Sequence, residues 1–250
     1  MKFSVLSLLV LFLALPLAAA EYEQLMLPIA PSVTTCGYHS QYEARLIVFN
    51  QHDGSLARFC ADGDCGAIGA KSGLEMTGPL TGGTPLPRFL YVPADQLKDL
   101  RLSLMVESQD LARPEERTFA ELPILRASDF RSGKIELFVR IDEGFRQGLR
   151  LYGLDGHQAQ QIIMRVFKLD TNQLLREETY TMWPVGEWEN EAGLQARPSF
   201  SMECDLSVYT WLVGQQVRIE LEPVDPETKY WAFISVTNNK TQHFYTVTPR

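Results

Sequence analysis

Polar and apolar positions alternate along much of the chain with a period of two. In "KIELFVRID" (134–142), Ile135, Leu137, Val139 and Ile141 fall on one face, and Glu136, Arg140 and Asp142 on the other. "QVRIELEPV" (216–224) repeats the pattern, with Val217, Ile219 and Leu221 against Arg218, Glu220 and Glu222. Successive side chains of an extended strand point to opposite faces, so this alternation predicts strands with one dry and one wet face. Further runs of strand length are rich in β-branched and aromatic residues: "EARLIVFNQ" (43–51), "PRFLYVP" (87–93), "LRLSLMVES" (100–108), "LRLYGLD" (149–155) and "QIIMRVFKLD" (161–170).

Turn-forming residues punctuate these runs at His52-Asp53-Gly54, Gly78-Pro79, Gly82-Gly83, Asp155-Gly156, Asp170-Thr171-Asn172 and Asn238-Asn239-Lys240. The last group separates "WAFISVT" from "TQHFYTV" and predicts a hairpin. Helical signals are weak: "ADQLKDL" (94–100) predicts a turn or two, and "DLSVYTWLVG" (205–214) fits helix and strand alike. Many short strands without alternating helices predict an all-β protein of two β-sandwich, immunoglobulin-like domains. The polar stretch "SQDLARPEERTFAE" (108–121), which holds Pro114, predicts the boundary, giving domains at 21–118 and 119–250.

The first twenty residues depart from the alternating pattern. Lys2 precedes an apolar run from Phe3 to Leu17, and Ala18-Ala19-Ala20 supply small residues of the kind a signal peptidase requires. The run is short for a membrane span, and acidic Glu21-Tyr22-Glu23 follows it in place of a basic flank. Residues 1–20 are therefore expected to be a cleaved signal peptide. The remainder is then secreted, periplasmic or at the cell surface, with no further membrane span. The whole chain carries 23 basic and 31 acidic residues, and an acidic balance argues against nucleic acid as a partner.

Export changes the meaning of the four cysteines. "RFCADGDCGAI" (58–68) sets Cys60 and Cys65 around Asp62-Gly63-Asp64. A zinc site would need a second closely spaced ligand pair, a calcium loop needs a longer register of oxygen ligands, and a redox motif normally has two residues between its cysteines. In an oxidising compartment the spacing predicts a disulfide across a turn. Closing so short a loop contributes about 2 kcal/mol. Cys36 and Cys204 are left to pair with each other across the two halves or to stay free. No metal or cofactor is expected.

"ELPILRASDF" (121–130) and "FRQGLRLYGLDG" (145–156), with "RFLYVPADQLKDLRLSLMVESQD" (88–110) before them, resemble a pattern found in uncharacterised exported bacterial proteins with tandem β-sandwich domains. The resemblance covers about half of the chain after residue 20. It implies a fold and an address, and it carries no activity.

Candidate chemistry is sparse. There is no Gly-x-Ser-x-Gly, no His-Glu-x-x-His and no phosphate-cradling glycine loop, and His39, His52, His157 and His243 have no evident nucleophile beside them. "PVGEWENEAGL" (184–194) gathers Glu187, Glu189 and Glu191 around Trp188. Trp183, Trp188, Trp211 and Trp231 all lie in the second half; Trp211 and Trp231 are expected in the core, and Trp188 exposed. No catalytic residue is assigned. The expectation is a non-catalytic exported module that binds a protein or organises the surface. The alternatives are a carbohydrate-binding module using Trp188, Glu187, Glu189 and Glu191, and a carboxylate-dependent hydrolase using the same acids.

Overall fold

The computed structural model describes residues 22–28, 40–54, 59–61, 64–77, 87–184, 197–203 and 205–249. The segment 1–20, Cys36, Cys204, and the Glu187, Trp188, Glu189 and Glu191 group lie outside the described residues. So do His39, Gly78-Pro79 and Gly82-Gly83. The described chain is all-β, 60 % strand, with no helix of seven residues or more and four antiparallel sheets. Among the described residues no helix is long and apolar enough to cross a membrane.

The first half contributes β1 (Tyr22–Leu27), β2 (Ser40–Asn50), β3 (Phe59–Ala61), β4 (Asp64–Gly66), β5 (Gly73–Thr77), β6 (Arg88–Pro93), β7 (Leu100–Asp110), β8 (Arg113–Leu122) and β9 (Leu125–Arg126). They form sheet A, in the order β4-β3-β6-β1-β9, and sheet B, in the order β5-β2-β7-β8. The second half contributes β10 (Ile135–Arg140), β11 (Phe145–Gly153), β12 (Gln160–Lys168), β13 (Leu174–Met182), β14 (Ser199–Glu203), β15 (Gln216–Pro223), β16 (Tyr230–Asn238) and β17 (Phe244–Val247). These form sheet C, β14-β11-β16-β17, and sheet D, β10-β15-β12-β13.

The alternating runs behave as their pattern requires. Ile135, Leu137, Val139 and Ile141 are buried, as are Val217, Ile219 and Leu221 of the neighbouring β15. With Ile162, Met164 and Val166 they meet Leu149, Leu151, Ala232, Ile234 and Val236 of sheet C in one core. Burying a side chain of this size stabilises by roughly 1.5–3 kcal/mol. The predicted hairpin at 238–240 joins β16 to β17, and "ADQLKDL" holds one 3-10 turn at Leu97–Asp99. The ambiguous 205–214 stretch becomes two 3-10 turns, Leu206–Val208 and Thr210–Leu212.

The polar stretch 108–121, read above as the boundary, lies in strands. It is a hairpin of sheet B: β8 pairs with β7 from Leu122 opposite Leu104 to Arg113 opposite Asp110. The chain crosses to the second pair of sheets only after Arg126, where β9 adds to the edge of β1. β8 reads as polar because it is an edge strand, with Arg117 and Glu121 paired to Glu107 and Ser103 on the outer face of the sheet.

Sheet C is buried on both faces. Tyr152, Trp231, Phe233 and Phe244 turn away from the second core and join the core of the first half. There Tyr152 stacks on Phe233 with centroids 6.1 Å apart, and Phe244 meets Tyr42 of β2 edge-on at 6.3 Å. Polar bonds fasten the same junction: Arg146 Nη2 donates to Tyr42 Oη at 3.0 Å, and Thr118 Oγ1 donates to the Gln242 carbonyl at 2.7 Å.

Candidate functional site

The strand ends of the second half converge on an open depression of about 710 Å³. β11 runs out into Leu154 and Asp155, β12 begins with Gln160 and Gln161, β13 ends before Trp183, and the β15–β16 turn supplies Val224 to Lys229. Backbone bonds make this rim rigid: Leu154 N–H donates to the Lys229 carbonyl at 2.8 Å, and Val224 N–H to the Gln161 carbonyl at 3.0 Å.

Trp183 is the largest side chain in the depression and is 63 % exposed. Its backbone is fixed by a reciprocal pair of 3.0 Å hydrogen bonds with Phe200. The preceding Met182 is fully buried, so the period of two turns the Trp183 ring outward. An exposed indole offers a broad apolar face with a polar edge, and it would lose contact with water on binding a flat ligand.

Amides and carboxylates surround the ring. The Gln160 carbonyl oxygen accepts from Ser199 Oγ at 3.1 Å, and its amino group has no acceptor among the described residues. Gly153 makes that bond feasible, because a Cβ there would lie 2.1 Å from Gln160 Oε1 and 2.2 Å from Ser199 Oγ. Asp155 and Asp225 each accept the backbone N–H two residues on, at 2.8 and 3.0 Å, so their first duty is to shape turns. Gln158, Glu227 and Lys229 complete the polar rim.

A second polar cluster lies where the edges of sheets C and D meet. Tyr180 Oη donates to Glu203 Oε2 at 2.8 Å, and Tyr209 Oη lies 3.3 Å from the same oxygen. The Arg176 guanidinium stacks 3.7 Å from the Tyr209 ring centroid. Burial first, and then the Glu203 carboxylate, push the Tyr180 phenol well above its ordinary pKa. These groups use each other's polar atoms, so the cluster acts as a latch between β13 and β14.

Of the four tryptophans, Trp231 is buried as expected, whereas Trp211 is 49 % exposed beside Tyr209. Trp211 sits in a 3-10 turn, where period-two reasoning does not apply and Leu212 takes the buried position. The Glu187, Trp188, Glu189 and Glu191 group begins four residues after Trp183 in sequence. Cys60 and Cys65 lie in β3 and β4, and their Cα positions are direct partners across the ladder. His52, His157 and His243 are exposed. No group of three or more His, Cys, Asp or Glu able to hold a metal occurs among the described residues. No protein-family model, no curated protein and no solved structure matches this chain.

Proposed function

We propose that this chain is an exported, non-catalytic binding protein, that its ligand seat is the depression around Trp183, and that the ligand is a glycan. The observation that carries the reading is Trp183, an indole held on a rigid strand end and turned into a wide, open cleft rimmed by amides and acids. Sugar rings present flat C–H faces that stack on indole and hydroxyls that bond to amides and carboxylates; both kinds of partner are present. The Glu187, Trp188, Glu189 and Glu191 group begins four residues after Trp183 in the sequence.

The export reading rests on the apolar Phe3–Leu17 run ending in three alanines, and kinship to exported tandem-sandwich proteins rests on the 88–110, 121–130 and 145–156 motifs. Immunoglobulin-like topology is assigned to both halves on the strength of their paired antiparallel sheets. The direct Cα partnership of Cys60 and Cys65 supports a disulfide clip across the β3–β4 hairpin.

The test is binding to a panel of bacterial and host polysaccharides by affinity electrophoresis, comparing the parent with Trp183→Ala. Retardation that is lost in the variant is expected. Equal retardation of both proteins removes Trp183 from the seat, and no retardation on any glycan removes the ligand class.

A protein partner is the second reading, favoured by the outer face of sheet B. Ile47, Phe49 and Phe119 are exposed there, with the Arg45 guanidinium 5.7 Å from the Phe119 ring centroid. Aromatic residues and arginine are enriched in protein interfaces. Phe119→Ser would abolish capture of such a partner and leave glycan retardation unchanged.

A further inference from the structure

Arg150 is a buried guanidinium without a counter-charge among the described residues. It lies on β11 between Met202 of β14 and Phe233 of β16, on the face of sheet C that meets the first half, and is 6 % exposed. Nη1 donates to the Leu149 and Glu203 carbonyls at 3.4 and 3.3 Å, both long for such bonds. Nε–H has no acceptor, and no carboxylate among the described residues pairs with the group. Desolvation pushes its pKa down, opposed to a lesser extent by the phenols of Tyr152 and Tyr42. Arginine stays protonated in proteins, so this site has a positive charge to neutralise.

Beside Arg150 is a cavity of about 30 Å³, walled by Tyr42, Ala44 and Val106 of sheet B and by Phe233 and Phe244 of sheet C. We propose that this cavity binds one halide ion, chloride under ordinary conditions, held by the Arg150 guanidinium between the two halves of the protein.

Size selects the ligand class. A water needs roughly 10–15 Å³, so this small cavity has room for one monatomic anion. The lining selects it further. Apolar side chains make most of the wall, which favours an anion that gives up its hydration readily, and chloride or bromide does so where fluoride does not. The edges of aromatic rings carry partial positive charge and suit an anion. Water alone would offer Nε–H an acceptor but would leave the charge uncompensated. Ser235 Oγ also borders the space, but its proton goes to the Gly148 carbonyl at 3.2 Å, so the guanidinium is the principal donor.

An ion held here contacts both halves and would strengthen their docking. The test is thermal unfolding of the whole chain in chloride and in gluconate at equal ionic strength. A rise of several degrees in chloride is expected, saturating as the site fills and reproduced by bromide but not by fluoride. In Arg150→Met the chloride dependence should vanish, with stability in gluconate equal to the parent's or higher, because the uncompensated charge is gone. Equal melting of the parent in chloride and gluconate, or an unchanged chloride effect in Arg150→Met, overturns the proposal. Should that variant fail to fold, crystals of the parent soaked in bromide decide the question. An anomalous peak within contact of Arg150 Nε supports the site, and its absence there refutes it.

Discussion

The two faces of sheet C are made by the same strands and are both buried, yet they are built differently. Toward sheet D the face is Leu149, Leu151, Ala232, Ile234 and Val236, mostly aliphatic, with Tyr230 at its end. Toward the first half it is Arg146, Arg150, Tyr152, Trp231, Phe233 and Thr237, all buried as well. The first composition is that of a core closing on itself. The second, rich in aromatics and arginine and stitched by hydrogen bonds, is that of an interface between partners, here joined in one chain. The difference teaches that burial alone does not define a core: one face is sealed by shape and apolar area, the other by rings and paired polar atoms.

Separating the halves gives the strongest test of that contrast. Residues 127–250 expressed alone would present Tyr152, Trp231, Phe233 and Phe244 to solvent. The fragment is expected to self-associate in size-exclusion chromatography and to bind a hydrophobic dye strongly. A monomeric, dye-silent fragment would mean that the outer face of sheet C is a surface after all.

Substitutions should then grade the two faces. Leu221→Ala, in the aliphatic core, is expected to lower stability by about 2–5 kcal/mol in urea unfolding. Tyr152→Phe keeps the ring of the interface face and loses only a 3.4 Å hydrogen bond to the Pro28 carbonyl, so about 1 kcal/mol or less is expected. Similar losses for the two would erase the distinction.

Alkali probes all layers at once. Burial raises the phenol pKa values of Tyr152 at the junction and Tyr230 in the second core, and lifts Tyr91 in the first core to about 12. Below about pH 10 each phenol is protonated in both folded and unfolded chains, so stability is unaffected. Above that, the unfolded chain ionises first and holds fewer protons, and stability falls by up to about 1.4 kcal/mol per pH unit for each phenol. For Tyr91 the fall ends near 12, where the folded state also ionises. Tyrosinate absorbance and circular dichroism followed together should therefore change in concert; absorbance rising well before the fold is lost would contradict the burial of these groups. The smallest effect belongs to Trp183→Ala, which should shift unfolding by no more than about 0.5 kcal/mol because the ring makes no core.

The same contrast explains what the sequence makes legible. Strands with one dry and one wet face, such as β10 and β15, can be read from their alternation, and their registers agree with it. Edge strands β8 and β13 carry charged residues along their exposed face, and β8 has only Thr118 and Ala120 before Leu122 on its inner face, so the period is muted and β8 looks like a boundary. In "LRLYGLD", Leu149 and Leu151 announce a dry face, but nothing local tells that Arg150 and Tyr152 are covered too; that depends on a sheet encoded a hundred residues earlier. Trp183 was within reach, since parity with buried Met182 turns it outward. The Cys60–Cys65 spacing anticipates the hairpin, with Asp64 inside its second strand instead of in the turn.

The interlocking of the halves also sets a timetable. The first core opens with Leu25 to Leu27 and is closed by Trp231, Phe233 and Phe244, so nearly the whole described chain lies between its first and last contributors. A chain made or threaded from its N-terminus must carry the end of sheet B at Ala44, Val106 and Leu122 uncovered until β16 and β17 arrive. Such long-range closure is slow. The first half therefore keeps one end open long after its own strands are made, and the last hairpin is the event that closes it.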